Sequence, residues 1–207
     1  MRGSSASSSR GNVPARLRSV GMVIVAVVVF TGGCSSNSGS QPQGQAAAPP
    51  TDYRNAEYII GDQRIKLADG LAEAAPSPGS ASRVVTRYFG NELTTDLNGD
   101  GREDVVFVLT QQRGGSGTFF YAVAALNTKA GYLGSDGYLL GDRIAPQAIE
   151  VSRKPRHKNV IVVHYGDRGP GEPMTAQPSV GKSVYLKLNA DTVRWGVVVP
   201  DFEGESR

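Results

Sequence analysis

Asp96, Asn98, Asp100 and Asp104 place oxygen-bearing side chains at positions one, three, five and nine of a short loop, with Gly101 at position six. Alternate residues of a tight loop turn inward together, so this spacing gathers hard oxygens around one point. Such a set suits calcium, which takes roughly six to eight oxygens in tolerant geometry. Gly101 permits the sharp bend, the Arg102 carbonyl can add a backbone ligand, and Asp104 closes the far side. The twelfth position is Phe107, where a helical EF-hand would need a bidentate Glu. A plain turn is the competing reading, because Asn-Gly and Asp-Gly form turns unaided. Yet three carboxylates within about 5 Å of one another repel by ~1 kcal/mol or more at intermediate dielectric. The expectation is a structural calcium ion bracing two strands.

Other chemistry-bearing residues are thinner in pattern. His164 follows the apolar run 160–163 and reads as a satisfied histidine near a strand end. His157 lies in Arg153-Lys154-Pro155-Arg156-His157-Lys158, a solvated basic turn by its composition, of a kind that can touch lipid phosphates. Ser116 sits among glycines, but Thr118 occupies the place where a nucleophile elbow needs Gly, so a hairpin tip is expected. Glu92, Asp142, Asp167 and Glu172 could supply a carboxylate pair for glycoside cleavage. No spacing singles out two of them.

The elements that must position these residues read as strands. Glu57 to Ile60 and Gln63 to Leu67 flank Gly61-Asp62 in a hairpin pattern. Val184 to Leu188 alternates apolar and polar, and Asn189-Ala190-Asp191 turns the chain toward Trp195. Continuous apolar runs at 105–109, 119–126 and 160–163 suit strands buried on both faces. Only 68–75 and 122–126 have helical composition, and both are short. The fold expected is mainly β: one antiparallel domain, a sandwich or curled sheet of about seven to nine strands, with α+β as the alternative. Gly-Asp recurs after apolar pairs at 61–62, 141–142 and 166–167, at unequal spacing that marks turn chemistry rather than a repeat.

The N-terminal quarter reads differently. Arg2, Arg10, Arg16 and Arg18 precede an apolar run at 20–30, too short for the roughly 20 residues that span a bilayer. Gly32 and Gly33 follow, then Cys34, the single cysteine of the 207 residues. Basic, apolar and small-residue regions in that order make an export signal over residues 1–33. Without the leader arginines, 18 basic side chains face 19 acidic ones, a formal charge of −1. That balance gives no footprint for nucleic acid. One cysteine also excludes an intrachain disulfide and a cysteine-based zinc site. Residues 35–50 are rich in Ser, Gly, Gln and Pro and hold no large apolar side chain, so a tether is expected over 34–51 and the folded domain over 52–207.

With Cys34 directly after it, the leader resembles a bacterial lipoprotein signal, although Thr31 stands where such signals usually have Leu. The resemblance implies acylation of Cys34, and Ser35 behind it implies the outer membrane, facing the periplasm. The run from Asp96 to Val108, with apolar β-rich flanks, resembles the calcium loops of FG-GAP (integrin-type) repeats. It occurs once, so the loop is implied and a propeller is not. By that likeness the ligands are the side chains of Asp96, Asn98, Asp100 and Asp104 and the carbonyl of Arg102. Segments including Arg87-Tyr88-Phe89-Gly90-Asn91-Glu92 and Gly141-Asp142-Arg143-Ile144-Ala145-Pro146-Gln147 resemble a group of small uncharacterised bacterial lipoproteins. Together these readings imply a lipid-anchored envelope protein acting as a binding or structural module, with envelope proteins or polysaccharide as partners. The alternative is a small periplasmic hydrolase acting on an envelope polymer, using Asp142, Asp167 or His164.

Overall fold

The structure, a computed structural model, describes residues 50–199. The expected export signal, Cys34 and all but the last two tether residues lie outside the described residues. What is described is mainly β, as the alternation implies. A single 3-10 turn, Tyr53–Asn55, precedes strands β1 (Glu57–Ile60), β2 (Gln63–Lys66), β3 (Leu71–Ala74), β4 (Val84–Thr95), β5 (Asp104–Gln112) and β6 (Phe119–Thr128). Then follow β7 (Gly131–Gly134), β8 (Tyr138–Asp142), β9 (Ala145–Val151), β10 (Val160–Asp167), β11 (Val180–Asn189) and β12 (Arg194–Val197). The seven to nine strands expected are therefore twelve. Short strands such as β3 and β7 carry little alternation of their own and exist through pairing with long neighbours; β3 falls inside the stretch of helical composition at 68–75.

Three antiparallel sheets result: the β1–β2 hairpin, a six-stranded sheet ordered β3-β4-β5-β6-β7 with β8 also on β6, and a four-stranded sheet ordered β12-β11-β10-β9. The six-stranded sheet is the middle layer. Val106 and Val108 of β5, with Phe120, Ala122, Ala124 and Leu126 of β6, pack against Ile161, Val163, Leu186 and Leu188 of the four-stranded sheet. The alternate residues Val105, Phe107, Leu109, Tyr121, Val123 and Ala125 pack against Tyr58, Ile60 and Leu67 around the hairpin. Burial on both faces explains the unbroken apolar runs of β5 and β6. Val106, Phe107, Val108 and Leu109 are each 0% exposed, a burial that stabilises by about 1.5–3 kcal/mol per side chain. Among the described residues, both cores draw on side chains between Tyr53 and Trp195.

Between β7 and β8, the residues Gly134 to Gly137 join all three sheets. Ser135 exchanges hydrogen bonds with Ala124 of β6, its hydroxyl accepting from the Ala124 N–H at 2.8 Å and its own N–H donating to the Ala124 carbonyl. Its carbonyl accepts from Ile59 N–H of β1. Asp136 N–H donates to the Val193 carbonyl, and its carboxylate accepts from Trp195 N–H of β12 at 2.8 Å. Close approach explains the glycines here. A Cβ on Gly134 would lie 2.2 Å from the Glu57 carbonyl oxygen, and one on Gly137 would lie 2.6 Å from the Ile60 side chain.

Candidate metal loop and the scattered polar residues

The loop 96–104 joins β4 to β5 and is built by its own amides. Asp96 Oδ1 accepts from the N–H groups of Asn98, Gly99 and Asp100 at 2.7–3.3 Å, and Oδ2 accepts from Gly101 N–H at 2.9 Å. Those backbone bonds, with Gly101 the strongest, hold its carboxyl below the ordinary Asp range despite some burial. Gly99 and Gly101 both adopt φ of +82°, the left-handed backbone that the tight winding demands. Asn98 Oδ1 accepts from Asp100 N–H, and Asn98 Nδ2 donates to Asp100 Oδ2 at 2.9 Å. Asp100 also holds Arg102, through the Arg102 N–H at 2.9 Å and through a guanidinium ion pair. Arg102 in turn donates from Nε to the Asn127 carbonyl of β6.

Asp104 is 0% exposed at the first position of β5. Its Oδ2 accepts from Leu97 N–H at 2.9 Å and its Oδ1 from Asn127 N–H at 2.8 Å. The carboxylate thus ties the loop to β6. Burial pushes its carboxyl above the ordinary range; the two amides oppose that, and the negative charges of Asp100 and Asp96 add to it. Leu97, 2% exposed, anchors the loop in the main core.

The structure therefore brings Asp96, Asn98, Asp100 and Arg102 together in one tight turn and sets Asp104 at its base. Among the described residues, no three His, Cys, Asp or Glu side chains are placed to hold a metal by themselves. The donors are nonetheless the hard oxygens calcium takes. Asn98, backbone carbonyls and water would have to complete the shell. Asp100 would exchange its ion pair with Arg102 for the cation, a small cost for a pair with side chains 27% and 35% exposed. The repulsion among the acids is met by amides and by Arg102, a compensation that the spacing of acids alone does not reveal.

Of the remaining candidates, Asp142 and Asp167 end adjoining strands, where Arg168 donates to the Asp142 and Arg143 carbonyls at 3.2 and 3.1 Å; His164 does not join them. His164 lies inside β10 rather than near its end; its Nδ1 is 2.7 Å from Ser183 Oγ and its Nε2 is 3.4 Å from Glu150 Oε1. Asp167, three residues on, points to the opposite face and pairs with Lys182 at 2.7 Å. The Lys182 hydrogen bond is the main reason that its carboxyl sits below the ordinary range. Asp142 pairs with Arg143 at 3.1 Å and caps Thr118 N–H at 2.8 Å. Glu172 accepts from Gly169 N–H at 2.7 Å, and Glu92 accepts from Tyr53. Each carboxylate has its own local partner, so no pair is poised across a shared bond. Ser116 lies exposed in the β5–β6 connection, as a hairpin tip should.

His157 departs from the solvated turn expected. It is half-buried, its Nδ1 lies 2.8 Å from Ser152 Oγ, and its ring packs edge-on against Tyr185 at 5.5 Å. Ser183, Glu150, Ser152 and Tyr185, which gather around the two histidines, carried no motif. Their proximity depends on strand register, with Ser183 opposite His164 in the β10–β11 ladder. Of the three Gly-Asp pairs, the one at 61–62 serves a separate turn, and those at 141–142 and 166–167 end β8 and β10. No family model, curated protein or solved structure matches the chain.

Proposed function

We propose that this chain is a lipid-anchored cell-envelope protein whose β domain acts as a binding or structural module, with calcium bracing the loop 96–104. The observation carrying the module reading is local pairing: Asp142 is held by Arg143, Asp167 by Lys182, Glu92 by Tyr53 and Glu172 by the Gly169 amide, while His164 lies on the opposite face from Asp167. Catalysis asks for nucleophile, base and charge-stabilising donors around one point. The nearest approach to such an array is Ser183–His164–Glu150, on the outer face of the four-stranded sheet; it keeps the hydrolase reading second. Support for calcium comes from the oxygen set of the loop and from its position, where it links β4, β5 and β6. The likeness of the leader to lipoprotein signals supports acylation at Cys34 and the envelope address, with the outer membrane as the site.

One set of measurements tests all three parts. Expressed in a bacterium, the full chain should incorporate labelled palmitate, and Cys34→Ser should abolish incorporation. Melting in millimolar calcium should exceed melting in EDTA; at a Kd tenfold below the calcium concentration the gain is about 1.4 kcal/mol. Fluorophosphonate should leave Ser183 unlabelled. Absence of palmitate removes the anchor, identical midpoints remove calcium, and labelling that disappears in Ser183→Ala promotes the hydrolase.

A further inference from the structure

Two strand edges stand unpaired beside each other. Among the described residues β2 pairs with β1 alone, and β3 ends the six-stranded sheet. Between them lies a cleft of about 450 Å³, lined by the whole of β2 and by the run from Ala72 to Pro76. Successive side chains of a strand point to opposite faces, so unbroken runs in a lining mean that the cleft meets the strand edges. Register shows which groups of β2 it meets. Ile59 donates its N–H to the Ser135 carbonyl and accepts from Gly137 N–H, both on the side away from β2. Its partner in the ladder is Arg64. The two therefore share no hydrogen bond, and Arg64 turns its own N–H and C=O away from β1, toward the cleft, as does Lys66 two residues on. Ala72 and Ala74 stand opposite Thr86 and Val84, and Ala72 packs with Ile65 in the core around the hairpin. These side chains make a shallow floor on the inner side, while those of Arg64 and Lys66 are exposed on the outer side.

We infer that this cleft accepts the segment 200–207 of a second copy of the chain as a strand added to β2. Asp201, Phe202, Glu203, Gly204 and Glu205 alternate acid with non-acid, so an extended segment carries its acids on one face and Phe202 on the other. With Asp201 and Glu203 opposite Lys66 and Arg64, Phe202 falls opposite Ile65 and over the small side chains of Ala74 and Val84. Main-chain hydrogen bonds hold such a strand, and the alternate side chains select it. Pairing β2 with another β2 is disfavoured, because Arg64 and Lys66 would then face their own kind across the ladder. Two acids adjoin the cations. Glu57, opposite Lys66 in the ladder, holds Arg64 at 3.0 Å and leaves the Arg64 side chain 72% exposed. Glu73 lies on the β3 edge and repels the acids of the segment, which sets them against β2. The occupant comes from another copy because of reach. Val198 N–H bonds the Tyr185 carbonyl, so the segment starts from the four-stranded sheet, which lies across the middle sheet from the hairpin, two sheet spacings or roughly 20 Å away. Pro200, the one residue before Asp201, spans at most about 3.6 Å.

The test uses the chain from Ser35 to Arg207 and the same chain ended at Val199, both in EDTA; each keeps the residues of both cores. Acylation and calcium therefore play no part in its outcome. A fluorescein-labelled peptide of residues 200–207 should bind the shortened chain saturably, read by anisotropy. Phe202→Ala in the peptide should weaken binding about tenfold or more, the order expected for a buried phenyl ring. N-methylation of the Glu203 amide, which aims at β2, should weaken it comparably. In the protein, Lys66→Glu should weaken binding about threefold or more, and Ala74→Arg, which fills the floor, should abolish it. Lys129→Glu, an equal change of net charge at the β6–β7 turn, should leave it unchanged. Folding of every variant is verified by circular dichroism. In sedimentation, the chain from Ser35 to Arg207 should associate as its concentration rises, and the shortened chain should not. Absence of peptide binding overturns the inference, as does equal binding of a peptide of scrambled order or equal weakening by Lys129→Glu. A chain from Ser35 to Arg207 that stays monomeric and excludes the peptide also overturns it, in favour of its own segment in the cleft.

Discussion

Replacing Asp104 separates the scaffold role of the loop from the ion-binding role proposed for it. The Asp104 carboxylate is fully buried and accepts two backbone N–H groups, Leu97 at 2.9 Å and Asn127 at 2.8 Å. Hydrogen bonds to a charged partner contribute about 1.5–3 kcal/mol each, and a buried donor left unpaired costs about 1–3 kcal/mol. Asp104→Ala orphans both amides but relieves the desolvation of the carboxylate, so a net loss of about 3 kcal/mol is expected. Asp104→Asn keeps one acceptor and turns an NH2 toward the other amide, and a loss of about 2 kcal/mol is expected. For a domain of this size each kcal/mol moves Tm by roughly 2–4 °C, so Asp104→Ala should melt about 6–12 °C lower. The assay is thermal denaturation in EDTA, so that no calcium contributes. Asp100→Ala, at a partly exposed position, should cost far less in EDTA yet remove most of the calcium-dependent gain. A melt of Asp104→Ala within about 1 °C of the parent in EDTA would refute the reasoning.

Two further outcomes follow from packing and charge. Gly134→Ala would drive a Cβ to 2.2 Å from the Glu57 carbonyl oxygen and 2.8 Å from the buried Tyr58 ring; urea unfolding should show a loss of about 3 kcal/mol. Gly181→Ala, with open space around it, should change stability by less than about 0.5 kcal/mol, and equal losses would contradict the packing argument. The Asp167 carboxyl is held below its ordinary range chiefly by Lys182. Its contribution is therefore present above the unfolded value of about 3.9 and lost as pH falls through the lower folded value. Lys182→Gln should accordingly lower the urea midpoint at pH 7 and converge with the parent near pH 2; a gap that persists in acid would count against the pair.

The fold was legible where a residue's burial follows from its immediate neighbours. Val105 to Leu109 and Phe119 to Leu126 announce strands covered on both sides, and the sheet they form is the central layer. The Gly61-Asp62 hairpin was equally plain. Strand number was not, because Leu71–Ala74 and Gly131–Gly134 are strands by virtue of what lies beside them. β9, which contains Pro146, sits at a sheet edge where the missing N–H is tolerated, next to a register shift at His164/Tyr165. In the loop, oxygen spacing marked Asp96, Asn98, Asp100 and Asp104 as a set. It could not show that Asp104 belongs to the scaffold, since its partner Asn127 is 23 residues away. The outer-face pairing of His164 with Ser183 was hidden for the same reason.

The four residues from Gly134 to Gly137 touch the hairpin, the middle sheet and β12 within a few ångströms of chain. Any layer that peels away must break bonds that the other two share, so the three are coupled, and unfolding in one step is the expected outcome. A domain that opens only as a whole offers proteases few half-open edges.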